Sequence, residues 1–432
     1  MQKKLIAIAV AALASGAAFA QSTVTVYGVA DGGLSYRFGA DKKHDAGSRF
    51  SVAKDKDVAN DNRFSIDTGI SAGNRLGFKG VEDLGNGISA LYTVELGFSA
   101  DNGGLRNGSI GGRQAFLGLT GGFGTAIAGR LYTPHYTFLS TIDPFKGGTV
   151  GSYRNVFNFV DIGGAVGNVF DPTRVNNAVA YVSPSFSGFN VTAAYSQQAG
   201  GATSAVDAAD AQEGVGNRGD VRVFALLPRY TNGPVDVGVS YHMIKQDKGS
   251  VSIVKEPEIT NIAIGGTFDL GAVKIHAFYD MNELSNENGT DLKDDGGSTA
   301  GPKINMDTFL IGLSAPFGKH AVQLSYTMSD LKIGKAKNGT AFCSVSALGA
   351  DNGPDALDKS CSGESSQFAI GYTYEFSKRT NFYAAYAQTD NDIVKDSDTN
   401  KLITRSAFAN DNSNSPAGGY QQGFQLGIKH TF

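Results

Sequence analysis

The chain has 432 residues, of which 41 % are hydrophobic and 57 are glycine, with no tryptophan and a formal net charge of −4. After the first twenty residues no apolar run approaches the length of a membrane-spanning helix, which excludes a helical membrane protein. A soluble chain of this length usually divides into domains, but no linker rich in proline or serine and no shift in composition marks a boundary.

The N-terminus has the organisation of a secretory signal peptide. Lys3 and Lys4 precede a short apolar run over residues 5–13, and the segment ends in Ala18-Phe19-Ala20, a small-x-small cleavage sequence. The apolar run is too short to span a bilayer. We therefore expect residues 1–20 to be a signal peptide that is removed after export, and residues 21–432 to form one domain.

The first predicted strands alternate between an apolar and a polar face. Over residues 24–38 the even-numbered positions are apolar or small, and the odd-numbered positions include Asp31 and Arg37. Residues two apart lie on one face of a strand, so each face has its own character. A second strand near residues 75–80 leads through Asn86-Gly87 into a return strand over residues 88–96. Asn-Gly is typical of a hairpin turn because both residues tolerate a positive φ.

The same unit of two alternating segments, a tight turn and a long polar loop recurs along the rest of the chain. Further candidate strands cover residues 113–121, 125–131, 175–183, 188–198, 221–231, 234–245, 259–269, 272–284, 306–316, 320–331, 366–376, 380–390 and 420–432. The total is sixteen, and short connections alternate with long ones, as periplasmic turns alternate with outer loops in membrane barrels. The alanine-rich stretch 199–211 could hold one short loop helix.

The last predicted strand supports a membrane location. Phe424, Leu426 and Ile428 share one parity, and polar residues or glycines occupy the other. An apolar terminal strand is unusual for a soluble domain, because termini there usually fray in water. Lipid would solvate its apolar face, and neighbouring strands would satisfy its backbone. We therefore predict an all-β fold, a 16-stranded antiparallel transmembrane β-barrel; the alternative is an edge strand of a soluble sandwich.

Several segments resemble the general porins of Gram-negative bacteria, in particular those of β-proteobacteria and neisseriae. The matching segments are residues 25–31, 75–87 and 118–125, together with Gly129-Arg130 and the terminal strand. The resemblance implies a homotrimer in the outer membrane, surrounded by lipid and lipopolysaccharide. It also implies a water-filled channel through which small hydrophilic solutes and ions diffuse passively, with the third outer loop folded into the barrel to form the constriction.

The third outer loop corresponds to about residues 132–174 and carries Asp143, Asp161 and Asp171. Its aromatic side chains could pack against the inside of the wall. Acidic groups on the loop opposite arginines on the wall would create a transverse field that sorts dipolar solutes and biases the passage of ions. At residues 143–148 the loop tip reads Asp-Pro-Phe-Lys-Gly-Gly, where many porins have Pro-Glu-Phe-Gly-Gly.

By analogy with the family, the constriction candidates are Arg37, Arg75 and Arg130 on the wall and Asp143 on the loop. Parity alone directs a larger set of charges to the lumen. The basic members are Arg37, Arg75, Lys79, Arg130, Arg222, Lys274 and Lys429, and the acidic members are Asp31, Glu95, Asp236, Asp280 and Glu375. Seven basic residues against five acidic ones do not decide between anion and cation selectivity.

Cys343 and Cys361 both fall in the seventh long loop. Two cysteines in an exported loop favour a disulfide, with two free thiols as the alternative. Metal binding is not expected at these cysteines, because no histidine lies nearby in sequence.

Enzyme motifs are mostly absent from the chain. It contains no P-loop, no His-Glu-x-x-His and no Gly-x-Ser-x-Gly, and its six histidines are scattered. We therefore predict that the protein is not an enzyme and that it uses no cofactor, no metal and no nucleic-acid partner. The rival interpretation is an outer-membrane receptor or adhesin barrel with binding loops.

Overall fold

A computed structural model describes residues 23–38, 62–106, 109–157, 172–197, 199, 221–246, 250–251, 254–255, 257–286, 304–333, 362–393 and 422–432. The predicted signal peptide, the pair Cys343 and Cys361, and the loop acids Asp161 and Asp171 lie outside these residues. So does the alanine-rich stretch 199–211, except for Ala199.

Strands dominate the described part of the chain. The elements in chain order are β1 (Thr23–Phe38), β2 (Arg63–Thr68), β3 (Arg75–Gly85), β4 (Ile88–Phe98), β5 (Leu105–Arg106), β6 (Gln114–Gly121), β7 (Gly124–Tyr132), α1 (Pro134–Ile142), α2 (Arg154–Phe157), β8 (Arg174–Val182), β9 (Phe189–Ser196), β10 (Val221–Asn232), β11 (Val235–Gln246), β12 (Ser250–Val251), β13 (Val254–Lys255), β14 (Pro257–Asp269), β15 (Lys274–Asn286), β16 (Ile304–Phe317), β17 (His320–Ile333), β18 (Ser362–Glu375), β19 (Thr380–Ile393) and β20 (Gln422–Thr431). Neither helix is long and apolar enough to cross a membrane.

Sixteen of these strands form a closed antiparallel ring. Setting aside the short strands β2, β5, β12 and β13, each strand pairs with the next along the chain, and β20 pairs with β1. The closing register places Asp31 opposite Lys429 and Gly33 opposite Gly427. The predicted all-β, 16-stranded antiparallel barrel is confirmed, and it has no free sheet edge within the ring.

The predicted hairpin after β3 is present, for the reason that the sequence suggests. Gly85, Asn86 and Gly87 all have positive φ values, of 85°, 54° and 73°. Glycine and asparagine adopt this region at low cost, so the chain reverses here between β3 and β4.

An irregular excursion interrupts the sheet between β2 and β3. The first part of β1 pairs with β3 and its second part pairs with β2, while residues 69–74 leave the ladder between them. The carboxylate of Asp31 accepts the backbone N–H groups of Ser71 at 2.8 Å and Ala72 at 2.6 Å. The backbone N–H of Asp31 donates to Oδ1 of Asn74 at 2.6 Å. Asp31 therefore shapes the excursion from the neighbouring strand.

The two faces of the wall differ as the alternation predicts. On β16, Phe309, Ile311 and Leu313 are 38–47 % exposed on the outside, while the alternate positions Thr308 and Leu310 are fully buried. One predicted orientation is wrong: Arg222 lies on the outer parity of β10, with exposed Phe224, since its neighbours Val221 and Val223 are the buried ones.

Candidate functional site

The described part of the third outer loop, residues 133–157 and 172–173, begins directly after β7 and returns into the barrel as helix α1. Thr133 caps the helix, because its Oγ1 accepts the backbone N–H of Tyr136 at 3.2 Å. Pro134 occupies the first turn, where a missing N–H has no cost and a fixed φ suits the helix. The helix buries Phe138, Leu139 and Ile142.

These helix residues pack against an apolar cluster on the inner face of the wall. The wall residues in the cluster include Val223 and Leu227 of β10, Ile244 of β11, Ile259 of β14, Phe278 of β15 and Leu310 of β16. Parity alone assigned the inner face to water, but over β10 to β16 it forms a core with the loop. Burial of this apolar surface stabilises the loop inside the barrel.

After α1 the loop follows the wall towards β20. Nδ1 of His276 lies 2.6 Å from the carbonyl oxygen of Ile142. Further along, the backbone N–H of Val150 donates to Oε1 of Gln425 at 2.7 Å. The backbone N–H of Thr149 then donates to the carbonyl of Ile70, in the excursion between β2 and β3, at 2.7 Å.

The loop tip packs against glycines in the wall, where a larger residue would collide with it. A Cβ on Gly312 would lie 2.5 Å from Cγ of Pro144, and one on Gly371 would lie 2.6 Å from Cε1 of Phe145. The loop thus covers the inner wall from β10 round to β20 and the excursion. The predicted inward-folded third loop is confirmed, and the strands of the ring outside this range are β1, β3, β4 and β6–β9.

Asp143, the predicted loop acid, is placed inside the loop's own fold. Its carboxylate accepts the backbone N–H groups of Phe145 at 3.0 Å, Gly147 at 2.8 Å and Tyr153 at 3.4 Å. The residue is only 1 % exposed. Burial raises the pKa of the Asp143 carboxyl to about 6, because the charged form loses its hydration. The carboxylate therefore shapes the turn that follows α1.

Arg37, the first predicted wall residue, is also buried. It is 1 % exposed, and its Nη2 lies 3.1 Å from Oδ2 of Asp67 on β2. Its Nη1 donates to Oγ of Ser65 at 3.4 Å. Arg37 thus joins β1 to β2 through an internal ion pair.

Arg75, the second wall candidate, belongs to a group of side chains centred on Glu95. Tyr27 donates its hydroxyl to Glu95 at 2.8 Å, while Nε of Arg113 lies 3.5 Å and Nε of Arg75 lies 4.0 Å from the same carboxylate. Glu95 is nearly buried, but the Arg75 side chain is 28 % exposed.

Two guanidinium groups converge on a single tyrosine nearby. The hydroxyl of Tyr132 accepts from Nη2 of Arg113 at 2.6 Å and from Nη2 of Arg174 at 2.7 Å. Arg174 also lies over the Tyr132 ring, 4.4 Å from its centroid. The ring of Tyr132 stacks on that of Tyr136 in α1, and Arg154 lies 5.2 Å from the centroid of Tyr136. A row of cations and aromatic rings thus joins the wall to the loop.

Arg130, the third wall candidate, lies next to this row. Its Nε donates to the carbonyl of Gly112 at 3.0 Å, and its Nη1 donates to Oδ1 of Asn176. Both contacts hold it between β6 and β8.

Around the loop, the acidic side chains are more deeply buried than most of the basic ones. Asp31, Glu95 and Asp143 are all at most 5 % exposed and are engaged by hydrogen bonds. Among the cations, Arg37 and Arg113 are buried as well, but Lys79 and Lys146 are exposed, and Arg75, Arg130, Arg154 and Arg174 are half-buried. The described surfaces near the loop therefore present mainly positive charge to water.

The sequence-based prediction did not find Arg113, Tyr132 or Arg174. Arg113 precedes β6, Tyr132 ends β7 and Arg174 begins β8, so all three lie at strand ends beside the loop. The sequence shows that these three residues are near the loop, but the alternation of a strand does not determine on which face a side chain lies at the strand's end. In the described part of the chain, no group of three or more His, Cys, Asp or Glu residues could hold a metal ion.

Comparison with known proteins gives a consistent result. A family model described as Gram-negative porin matches residues 7–393. An outer membrane porin protein of Bordetella pertussis is 30 % identical over 402 residues, which cover 89 % of this chain and 93 % of the relative. The structure of an anion-selective porin from Comamonas acidovorans has a TM-score of 0.64 at 23 % identity, covering 95 % of this chain and 100 % of that one. The outer membrane protein OmpT of Vibrio cholerae, in its trimer form, has a TM-score of 0.55 at 15 % identity, covering 95 % and 99 %.

Proposed function

Since the chain belongs to the Gram-negative porin family and forms an outer-membrane channel, we propose that this channel prefers anions. The observation that carries the proposal is the difference in burial between acids and bases around the third loop. The buried acids are bound by hydrogen-bond donors and do not line the lumen, whereas exposed or half-buried cations meet passing ions directly.

The constriction in this proposal lies between the third loop and the wall formed by β3, β4 and β6–β8. Arg75, Arg130 and Arg174 act on the wall, and Lys146 acts from the loop, while the buried Arg113 pairs with Glu95. Arg37 and Asp143 contribute indirectly, since Arg37 fixes β2 and Asp143 shapes the loop. The solutes are small and hydrophilic, with carboxylates and inorganic phosphate favoured over cations of the same size.

The assembly is proposed to be a homotrimer surrounded by outer-membrane lipid and lipopolysaccharide. The trimer form of the Vibrio cholerae protein, which shares the fold, supports this proposal. Export with removal of residues 1–20 belongs to the same proposal. The relatives are channels, and we propose that this protein has no enzymatic activity.

Reversal potential in planar bilayers with a KCl gradient tests the ion preference directly. The proposal expects a reversal potential of the sign set by chloride, at neutral pH and low ionic strength. The preference should weaken at 1 M salt, where screening acts over about 3 Å. A reversal potential of the sign set by potassium would overturn the anion preference but leave the channel itself intact.

A further inference from the structure

A polar cluster lies in the otherwise apolar contact between α1 and the wall. It consists of His135 on α1, Ser240 and His242 on β11, and Asp280 on β15, and each of these residues is 0 % exposed. Buried ionisable groups are costly unless they are paired, so their presence in a core needs an explanation.

His135 is the member that belongs to the loop. Its Nδ1 lies 3.2 Å from Oγ of Ser240, and its Nε2 lies 3.4 Å from Oδ2 of Asp280. Its ring stacks on that of His242, with centroids 5.6 Å apart and 24° between the planes. His135 thus ties α1 to two wall strands through side chains alone.

His242 has a different environment. Within the described residues neither of its ring nitrogens has a hydrogen-bond partner. Its neighbours across the ladders are Ala225 on β10 and Asn261 on β14. The amide of Asn282 is engaged with Asp280 and with the carbonyl of Met306. The carboxylate of Asp280 contacts His135 and not His242.

We propose that the pair His135 and His242 is an acid-sensitive latch that holds α1 against the wall. A proton on His135 is compensated by the carboxylate of Asp280. A proton on His242 would place a second cation about 5.6 Å from the first in a site that is 0 % exposed, where the only carboxylate among the described residues of the cluster is that of Asp280. Acid therefore favours a state in which α1 leaves the wall and water reaches His242.

Other ionisable groups near the loop respond differently. His276 lies between the carbonyl of Ile142 and Oγ of Ser314, and both of these can accept a hydrogen bond from a charged ring. Arg229 and Asp236, on β10 and β11, neutralise each other through a contact of 2.6 Å. The Asp143 carboxylate is held by the backbone N–H groups of Phe145, Gly147 and Tyr153, all in the loop itself, so its protonation acts on the turn after α1 and not on the contact of α1 with the wall.

The expected response follows from linkage. An imidazole in water has a pKa of about 6.5, so each pH unit below that value raises the ratio of released to seated loop about tenfold for one proton. Between pH 6.5 and 4.5 this ratio rises about 100-fold. The space open to a released α1 is the lumen, so the conductance falls.

Single-channel conductance of the full protein from pH 7 to 4.5 tests the latch. Wild type is expected to show long closures that increase about tenfold in occupancy per pH unit. His242→Leu, which keeps a side chain of similar size without a titratable group, is expected to stay open over the same range. Hydrogen exchange of residues 134–142, corrected for the intrinsic rate, should increase at pH 4.5 in wild type and not in this variant.

Controls separate the latch from other causes. His320→Gln changes a histidine at the start of β17, next to Tyr372, and should respond like wild type. If His242→Leu does not fold, His242→Gln replaces it with the same expectation. Wild type without acid closure overturns the proposal, and so does a closure that persists in both His242 variants or disappears in Asp143→Asn. The ion preference is measured independently at neutral pH.

Discussion

The phenyl ring of Phe145 lies so close over Gly371 that a Cβ on residue 371 would be 2.6 Å from its Cε1. A wall strand and the loop tip therefore meet through a position that only glycine can occupy without movement. Gly371→Val should displace the tip at a cost of about 1–3 kcal/mol, as overpacked sites do. We expect a different single-channel conductance and a lower thermal midpoint. Gly122→Val, in a turn with nothing within 4 Å of the added Cβ, is the matched control. Equal conductances for the two variants would contradict the conclusion that Phe145 packs on Gly371 and holds the loop tip in place.

The cations that meet at Tyr132 should dominate ion preference. A unit charge about 6 Å from a passing ion in water contributes about 0.7 kcal/mol, which corresponds to roughly a threefold change in relative permeability. We expect Arg174→Gln to lower the chloride-to-potassium permeability ratio by roughly that factor. Arg379→Gln removes an exposed charge in the short turn between β18 and β19 and should change the ratio little. The prediction is wrong if both variants shift the reversal potential equally.

Asp143 should make stability depend on pH. Its pKa of about 6 in the folded loop exceeds the usual 3.8, so the folded state binds the proton more tightly. The stability that this provides is complete below about pH 4 and is lost as pH rises through about 6. A shift of about two units amounts to about 3 kcal/mol. As pH rises from about 4 to about 6, the thermal midpoint of wild type should therefore fall relative to that of Asp143→Asn. If the thermal midpoints of the two proteins changed with pH in parallel, the raised pKa of Asp143 would not be the cause of the pH dependence.

The ion pair of Arg37 with Asp67 should matter for stability more than for selectivity. Both side chains are at most 13 % exposed, and breaking one partner of a buried pair costs about 3–5 kcal/mol. We expect Arg37→Met to lower the thermal midpoint clearly while the reversal potential stays near that of wild type. Lys274 and Asp269 form an exposed pair at 3.3 Å, so Asp269→Ala should lower the thermal midpoint much less than Arg37→Met does. Similar decreases in the thermal midpoint of both variants would show that burial does not decide how much an ion pair stabilises this protein.

A tryptophan reporter can test the orientation of the wall, because the chain contains no tryptophan of its own. Ile428 is 53 % exposed on the outer face of β20, whereas Lys79 is exposed on the inner parity of β3. Fluorescence of Ile428→Trp should be quenched by lipids brominated on their acyl chains. That of Lys79→Trp should be quenched by aqueous iodide instead. The reverse pattern would contradict the assignment of the two faces.

Much of the fold could be predicted because the relevant signals are local. Alternation along β16 follows from lipid on one side of a single strand, and the turn at Asn86-Gly87 follows from the φ values that these two residues tolerate. The exception on β10 is instructive. Arg222 was assigned to the lumen from its charge and parity, but the buried positions Val221 and Val223 show that the inner face there is apolar.

The site was less predictable, because it depends on which segments meet. Arg75 and Arg130 were predicted from family resemblance and stay predictions, and nothing in the chain around Asp143 indicates that its carboxylate turns towards the backbone of Gly147. Arg113 and Arg174 are 61 residues apart in the printed sequence and share one tyrosine hydroxyl only because β6 and β8 flank β7.

The amino-acid sequence by itself determined the barrel: its alternating strands, their number and the outward apolar face, since each strand responds to its own two environments. The tertiary structure alone decided how the third loop seats and which charges stay exposed. Burial and hydrogen bonding of an ionisable group depend on neighbours that are distant in sequence, and these neighbours decide whether its charge reaches the channel.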